Sequence, residues 1–166
     1  MTSHTLDSVE KAITVIGWYR RRWDIEQLFR TLKQQGLRLE QSVVEDGEIL
    51  EKLAVIALIT ATTTMQLVGA RSAVEQAAPA SRVFTPQQLI VLAALLNTLQ
   101  RRTTKQQNPF PPHSLAAAAW IVARLGGWTG YLSDKSNGPI TMRHGLERFY
   151  AIADGYHLAA QHLCSS

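Results

Sequence analysis

The chain has 166 residues, 46% of them hydrophobic, and a formal net charge of +4, which is enough apolar content to bury a core, so that disorder is not the default. With a pI near 9.5 it is compatible with a polyanionic partner, and the basic excess sits at the amino-terminal end: between Lys11 and Arg38, Lys11, Arg20, Arg21, Arg22, Arg30, Lys33 and Arg38 are set against only Asp24 and Glu26. The single cysteine, Cys164, excludes an intramolecular disulfide or a cysteine-built metal cluster and fits a reducing cytoplasm, and the polar start from Thr2 to Lys11 lacks the order of a signal peptide.

Asp7-Ser8-Val9-Glu10 has the chemistry of a helix start. Apolar Val9, Ala12, Ile13 and Ile16, then Ile25, Leu28, Phe29 and Leu32, recur at helical spacing as far as Gly36, a suitable carboxy-terminal cap. Periodicity leaves open one helix or two, with a break near Trp18 to Asp24. Leu37 to Val44 reads as an extended connection. The tract from Ile49 to Leu67 is apolar on most faces and predicts a buried helix of a soluble protein. Its core from Leu53 to Val68 is too short, and too broken by threonines, to span a bilayer. Those threonines are expected to bond back to carbonyls one turn earlier.

Ala77 to Arg82, with Pro79, reads as a linker between two structural units. Thr85-Pro86-Gln87-Gln88 supplies an N-cap hydroxyl, a proline at the first helical position and a glutamine at the third, opening a helix through Leu99. Arg101 to Pro112 reads as a surface loop. Ser114 caps a helix from Leu115 to Leu125 that Gly126-Gly127 stops; Tyr131 to Gly138 is turn-rich, and Pro139 introduces a last helix through Leu146, Phe149, Ile152, Tyr156 and Ala159. The fold class is mainly α. The five histidines never reach the density of a metal site.

In the stretch from Trp18 to Lys33, the polar residues Tyr19, Arg22, Glu26 and Lys33 are separated by three, four and seven positions, so a helix projects them from one face. Such a face offers a carboxylate able to hold a hard divalent cation beside two cations and a phenol able to grip a phosphate, the juxtaposition that phosphoryl transfer needs. Spacing alone fits ordinary intrahelical ion pairs on a solvated face better.

The same residues resemble the YREK signature of the DDE transposases of bacterial insertion sequences, and Trp23, Ile25, Phe29 and Leu32 suit the surrounding pattern. Downstream, Phe84 to Gln88, Ile121 to Trp128 and Gly145 to Phe149 resemble the helical carboxy-terminal dimerisation domain of the transposase family carried by composite kanamycin-resistance transposons. The resemblance implies that residues 1–78 form the carboxy-terminal end of an RNase H-like catalytic domain and residues 79–166 a helical dimerisation domain. It further implies that Glu26 is the third metal-binding acid of the triad, with Mg2+ or Mn2+ as cofactor, and that Tyr19, Arg22 and Lys33 grip DNA phosphates, with Arg30 or Trp23 assisting. For these two the stronger readings are Trp23 as a packing residue between helices and Arg30 as a solvated surface cation.

The two upstream aspartates of the triad have no counterpart, because Asp7, Asp24 and Asp46 sit at helix starts or beside the glutamate itself. The expectation is therefore a truncated transposase, inactive alone, cytoplasmic and nucleoid-associated. Its expected partners are transposon-end DNA and a second copy or an intact transposase, without a membrane. The alternative is a non-enzymatic dimerisation or inhibitory module, built on the apolar residues Leu146, Phe149, Ile152 and Tyr156. In either case Ile13, Ile16, Ile25 and Phe29 are expected to be exposed or repacked on the following helix.

Overall fold

The computed structural model describes residues 7–35, 45–70, 78–100, 103, 106–130 and 138–163. The expected cap at Gly36, the connection from Leu37 to Val44, the basic residues Arg101, Arg102 and Lys105, the loop 131–137 and Cys164 lie outside them. Helix α1 begins where Ser8 Oγ accepts from the Lys11 amide at 3.2 Å and runs unbroken from Val9 to Gln35. No proline interrupts it, and Gly17 costs too little to break it. Thr14 and Thr31 donate back to the carbonyls of Glu10 and Gln27.

Asp46 Oδ1 accepts from the amides of Glu48 and Ile49 and so caps α2, Gly47–Gly69. Thr60 donates to Ile56 O at 2.9 Å, as the sequence predicts. The expectation of burial on most faces is met on one face only. Ala57, Ala61, Thr64 and Leu67 are buried, whereas Ile49, Val55, Ile56, Leu58 and Ile59 are exposed. Contrary to the expectation of a tract too short and too broken by threonines, the helix that contains Leu53 to Val68 is by length and composition long and apolar enough to cross a membrane.

Contacts divide the chain into two units, Met1–Ala61 and Thr62–Ser166, with the division inside α2. Helices α3 (Pro86–Leu99), α4 (Leu115–Leu125) and α5 (Pro139–Leu163) all belong to the second unit. Among the described residues there is no strand, and the one isolated β-bridge joins Pro79 to Ser114.

Helix α4 is the centre of the second unit: every residue from Leu115 to Ala123 is buried. Four consecutive alanines let neighbouring helices come close, and Trp120, Phe149, Leu67, Met142 and Leu146 fill the remaining space. Each large side chain so buried stabilises by about 1.5–3 kcal/mol. Phe84 meets Phe149 edge to face at 5.3 Å, and Trp120 meets Trp128 at 6.4 Å.

Both predicted caps form. Thr85 accepts from the Gln88 amide while the Gln88 side chain accepts from the Thr85 amide. Ser114 Oγ accepts from the Ala117 amide at 3.1 Å. At the other end of α4, Gly127 takes φ +96°. Its amide donates to Arg124 O and that of Trp128 to Ala123 O, the pair of bonds that closes a helix through a left-handed glycine. Arg124 donates to the carbonyls of Trp128 and Thr129, and Arg148 of α5 donates to Leu125 O at 2.7 Å.

Residues 79–82 do not behave as a linker. They form a 3-10 turn whose Ala80 is buried. The Ala80 amide donates to His113 O at 2.8 Å and the Leu115 amide to Ala78 O at 2.6 Å, so backbone pairing holds the segment against the start of α4. Leu146 and Phe149, expected on an association surface, are 2% and 0% exposed and belong to the core; Ile152 and Tyr156 of the same helix are exposed.

Candidate functional site

Because α1 is one continuous helix, the separations of three, four and seven become a real surface. At 100° per residue, Tyr19, Arg22, Glu26 and Lys33 fall within an arc of about 60°, and Arg30 and Trp23 widen it to about 100°. All six side chains are exposed. Tyr19 is 72% and Trp23 62% exposed, so the indole lies on the open face of the helix and does not serve here as packing between helices.

Arg22 Nε stands 3.5 Å from Glu26 Oε1, with both side chains more than half exposed. Such a pair stabilises by about 0.3–0.5 kcal/mol, and the order arginine before glutamate is the weaker one along a helix. The contact is therefore easily exchanged, leaving Glu26 free to meet a cation and Arg22 a phosphate oxygen. The guanidinium offers a planar fork suited to phosphate, the phenol a hydroxyl donor and Lys33 a compact charge about two turns beyond Glu26.

The other carboxylates nearby are committed differently. Asp7 pairs with Lys11 at 2.7 Å, Asp46 caps α2, and Asp24 projects from nearly the opposite side of α1 to Glu26. Among the described residues no group of three histidine, cysteine, aspartate or glutamate side chains is placed to hold a metal ion. One carboxylate beside a guanidinium does not fit a two-metal centre by itself, since each hard cation takes about six oxygen ligands. These residues can supply one anchor to such a centre.

Next to the polar face, Ile13, Ile16, Ile25 and Phe29 are 64%, 53%, 55% and 55% exposed. At 100° per residue Ile13 and Ile16 lie on one flank of the polar arc and Ile25 and Phe29 on the other, so they do not form a single apolar face. Residues 2–63, which include the whole of α1 with its six candidate residues and most of α2, match the family model described as the transposase DDE domain.

Proposed function

We propose that this chain contributes one part of a DDE transposase active site, with Glu26 as the third metal-binding acid and Tyr19, Arg22 and Lys33 as the grip on DNA phosphates. The observation that carries this reading is the placement of all four on one open face of an uninterrupted helix, inside the segment matched to the family. Arg30 and Trp23 flank the same face and extend it toward neighbouring nucleotides. In this reading residues 1–78 are the end of an RNase H-like catalytic domain and residues 79–166 a helical dimerisation domain. The natural partner is transposon-end DNA, met in the cytoplasm at the nucleoid. The Mg2+ or Mn2+ of the intact site is held jointly with carboxylates that these residues do not provide.

The 166-residue chain alone is then a DNA-binding piece without strand cleavage. A labelled transposon-end duplex followed by anisotropy tests both halves. Binding should weaken with Arg22→Ala and Lys33→Ala and stay unchanged with Lys52→Ala, and no nicked product should appear with Mg2+ or Mn2+. Mg2+-dependent cleavage lost in Glu26→Ala would overturn the assignment of an incomplete site. Binding indifferent to Arg22 and Lys33 would overturn the phosphate grip.

A second reading, an inhibitory module that pairs with an intact transposase, is supported by the outer face of α5, where Ile140, Ile152, Tyr156 and Leu158 are exposed. Its test is co-expression with an active transposase, with loss of transposition expected and restored by Ile152→Glu.

A further inference from the structure

The second unit leaves a gap in its packing. A cavity of about 320 Å3 lies between α3, α4 and the segment from Asn108 to Ser114, about twice the roughly 150 Å3 of an engineered core cavity. Interiors ordinarily close such gaps with side chains. Here the chain sets alanine where a leucine would fill the space: Ala93 on α3 and Ala117 and Ala118 on α4 all line it. Its floor, with Leu92, Ala118 and Ile121, is nearly closed to solvent, whereas Asn97 and His113 are exposed at its rim.

The wall opposite the helices is fixed in place. Asn108 Nδ2 donates to Ala117 O at 3.1 Å and the Phe110 amide donates to Asn108 Oδ1 at 3.1 Å, so one side chain ties this segment to α4. At its far end His113 takes φ +61°, the one positive φ among the described non-glycine residues. Its carbonyl accepts from the Ala80 amide at 2.8 Å, and the Ser114 amide donates to Pro111 O at 3.2 Å. A side chain enters this backbone region at a cost that only fixed surroundings sustain. The cavity is therefore formed before anything enters it, and a ligand loses little of its binding energy to ordering the protein.

We propose that this cavity binds a small neutral molecule with an aromatic or branched apolar body and a single amide or hydroxyl end. The floor and the half-buried Phe110 ring receive the apolar body. The carboxamides of Asn97 and Gln100 and the imidazole of His113 line the same space and can both donate to and accept from the polar end. Among the described residues that line it there is no carboxylate, ammonium or guanidinium, so a charged ligand would give up water without meeting a countercharge. The volume stands at the lower end of ligand pockets, about 300–1,000 Å3, which suits a compact molecule and not a partner helix. The site uses no residue of the α1 face and does not depend on the catalytic reading.

The test is a titration of the full chain with 3-phenylpropanamide, followed by amide nitrogen–proton correlation spectra, to about 10 mM, an excess over the roughly millimolar affinity that a ligand of this size reaches. Saturable shifts are expected at the amides of Leu96, Asn97, Ala117 and Ala118. Ala93→Leu, at an exposed position that lines the cavity, should weaken binding at least about tenfold with an unchanged far-UV spectrum. Ala94→Leu, exposed on the same helix and outside the lining, should leave it as it is. The carboxylate analogue 3-phenylpropanoate should bind at least about tenfold more weakly. Shifts that do not saturate, binding that survives Ala93→Leu or is lost in Ala94→Leu, equal binding of the carboxylate, or shifts centred on the outer face of α5 around Ile152 would each overturn the proposal.

Discussion

Gly145 of α5 lies directly against the Val122 carbonyl of α4, so close that a Cβ on it would overlap both the carbonyl and the valine side chain. Gly126 stands in the same relation to the Thr141 backbone. Two glycines thus set the distance between the two most extensively packed helices of the second unit. Gly145→Ala should destabilise by about 1–3 kcal/mol, the usual cost of overpacking. Gly155→Ala, on the same helix with open space around it, should stabilise by about 0.5–1 kcal/mol through helix propensity. Paired thermal melts decide the matter, and a neutral Gly145→Ala would mean that α4 and α5 can slide apart freely.

Thr85 makes both bonds of a capping box at the start of α3. Thr85→Ala should cost about 1 kcal/mol, and Thr85→Ser much less, because the hydroxyl oxygen is the accepting group. Urea denaturation with an unchanged slope is the check.

The weak Arg22 to Glu26 pair separates structural from functional roles on α1. Glu26→Gln should shift stability by less than about 0.5 kcal/mol, since both partners are solvated. Arg22→Ala and Lys33→Ala should each lower the salt dependence of binding to duplex DNA by about one unit of slope. A large loss of stability in Glu26→Gln, with DNA binding untouched, would return this face to ordinary helix electrostatics.

Partial burial raises the Tyr150 phenol above the ordinary value of 10.0, because the phenolate is desolvated. A group whose folded pKa is raised adds stability that is fully present below its unfolded pKa and is lost as pH climbs through the folded one. Stability should therefore be insensitive to this group at neutral pH and decline above about pH 10. In Tyr150→Phe that alkaline decline should shrink, as thermal melts at neutral and alkaline pH would show.

Local chemistry was the legible part of this sequence. Thr85-Pro86-Gln88, Ser114 and Gly126-Gly127 each announce a helix end, because a cap is made within four residues and needs no distant partner. The face from Tyr19 to Lys33 was legible for the same reason, once α1 is known to be continuous. What periodicity could not supply were relationships that depend on the far side of a contact. The apolar pattern of α2 reads alike whether its isoleucines face in or out. Pro79 reads as a linker because the backbone pairing of Ala80 with His113 spans more than thirty positions. Phe149 reads as a surface anchor until Phe84 is seen against it.

The complete enclosure of α4 has a consequence for how the molecule opens. With every side chain from Leu115 to Ala123 buried, no partial fraying exposes its middle. Amide protons there can exchange with solvent only when the whole second unit comes apart. The slowest protons of α4 are thus an internal gauge of that unit's global stability, readable without any denaturant.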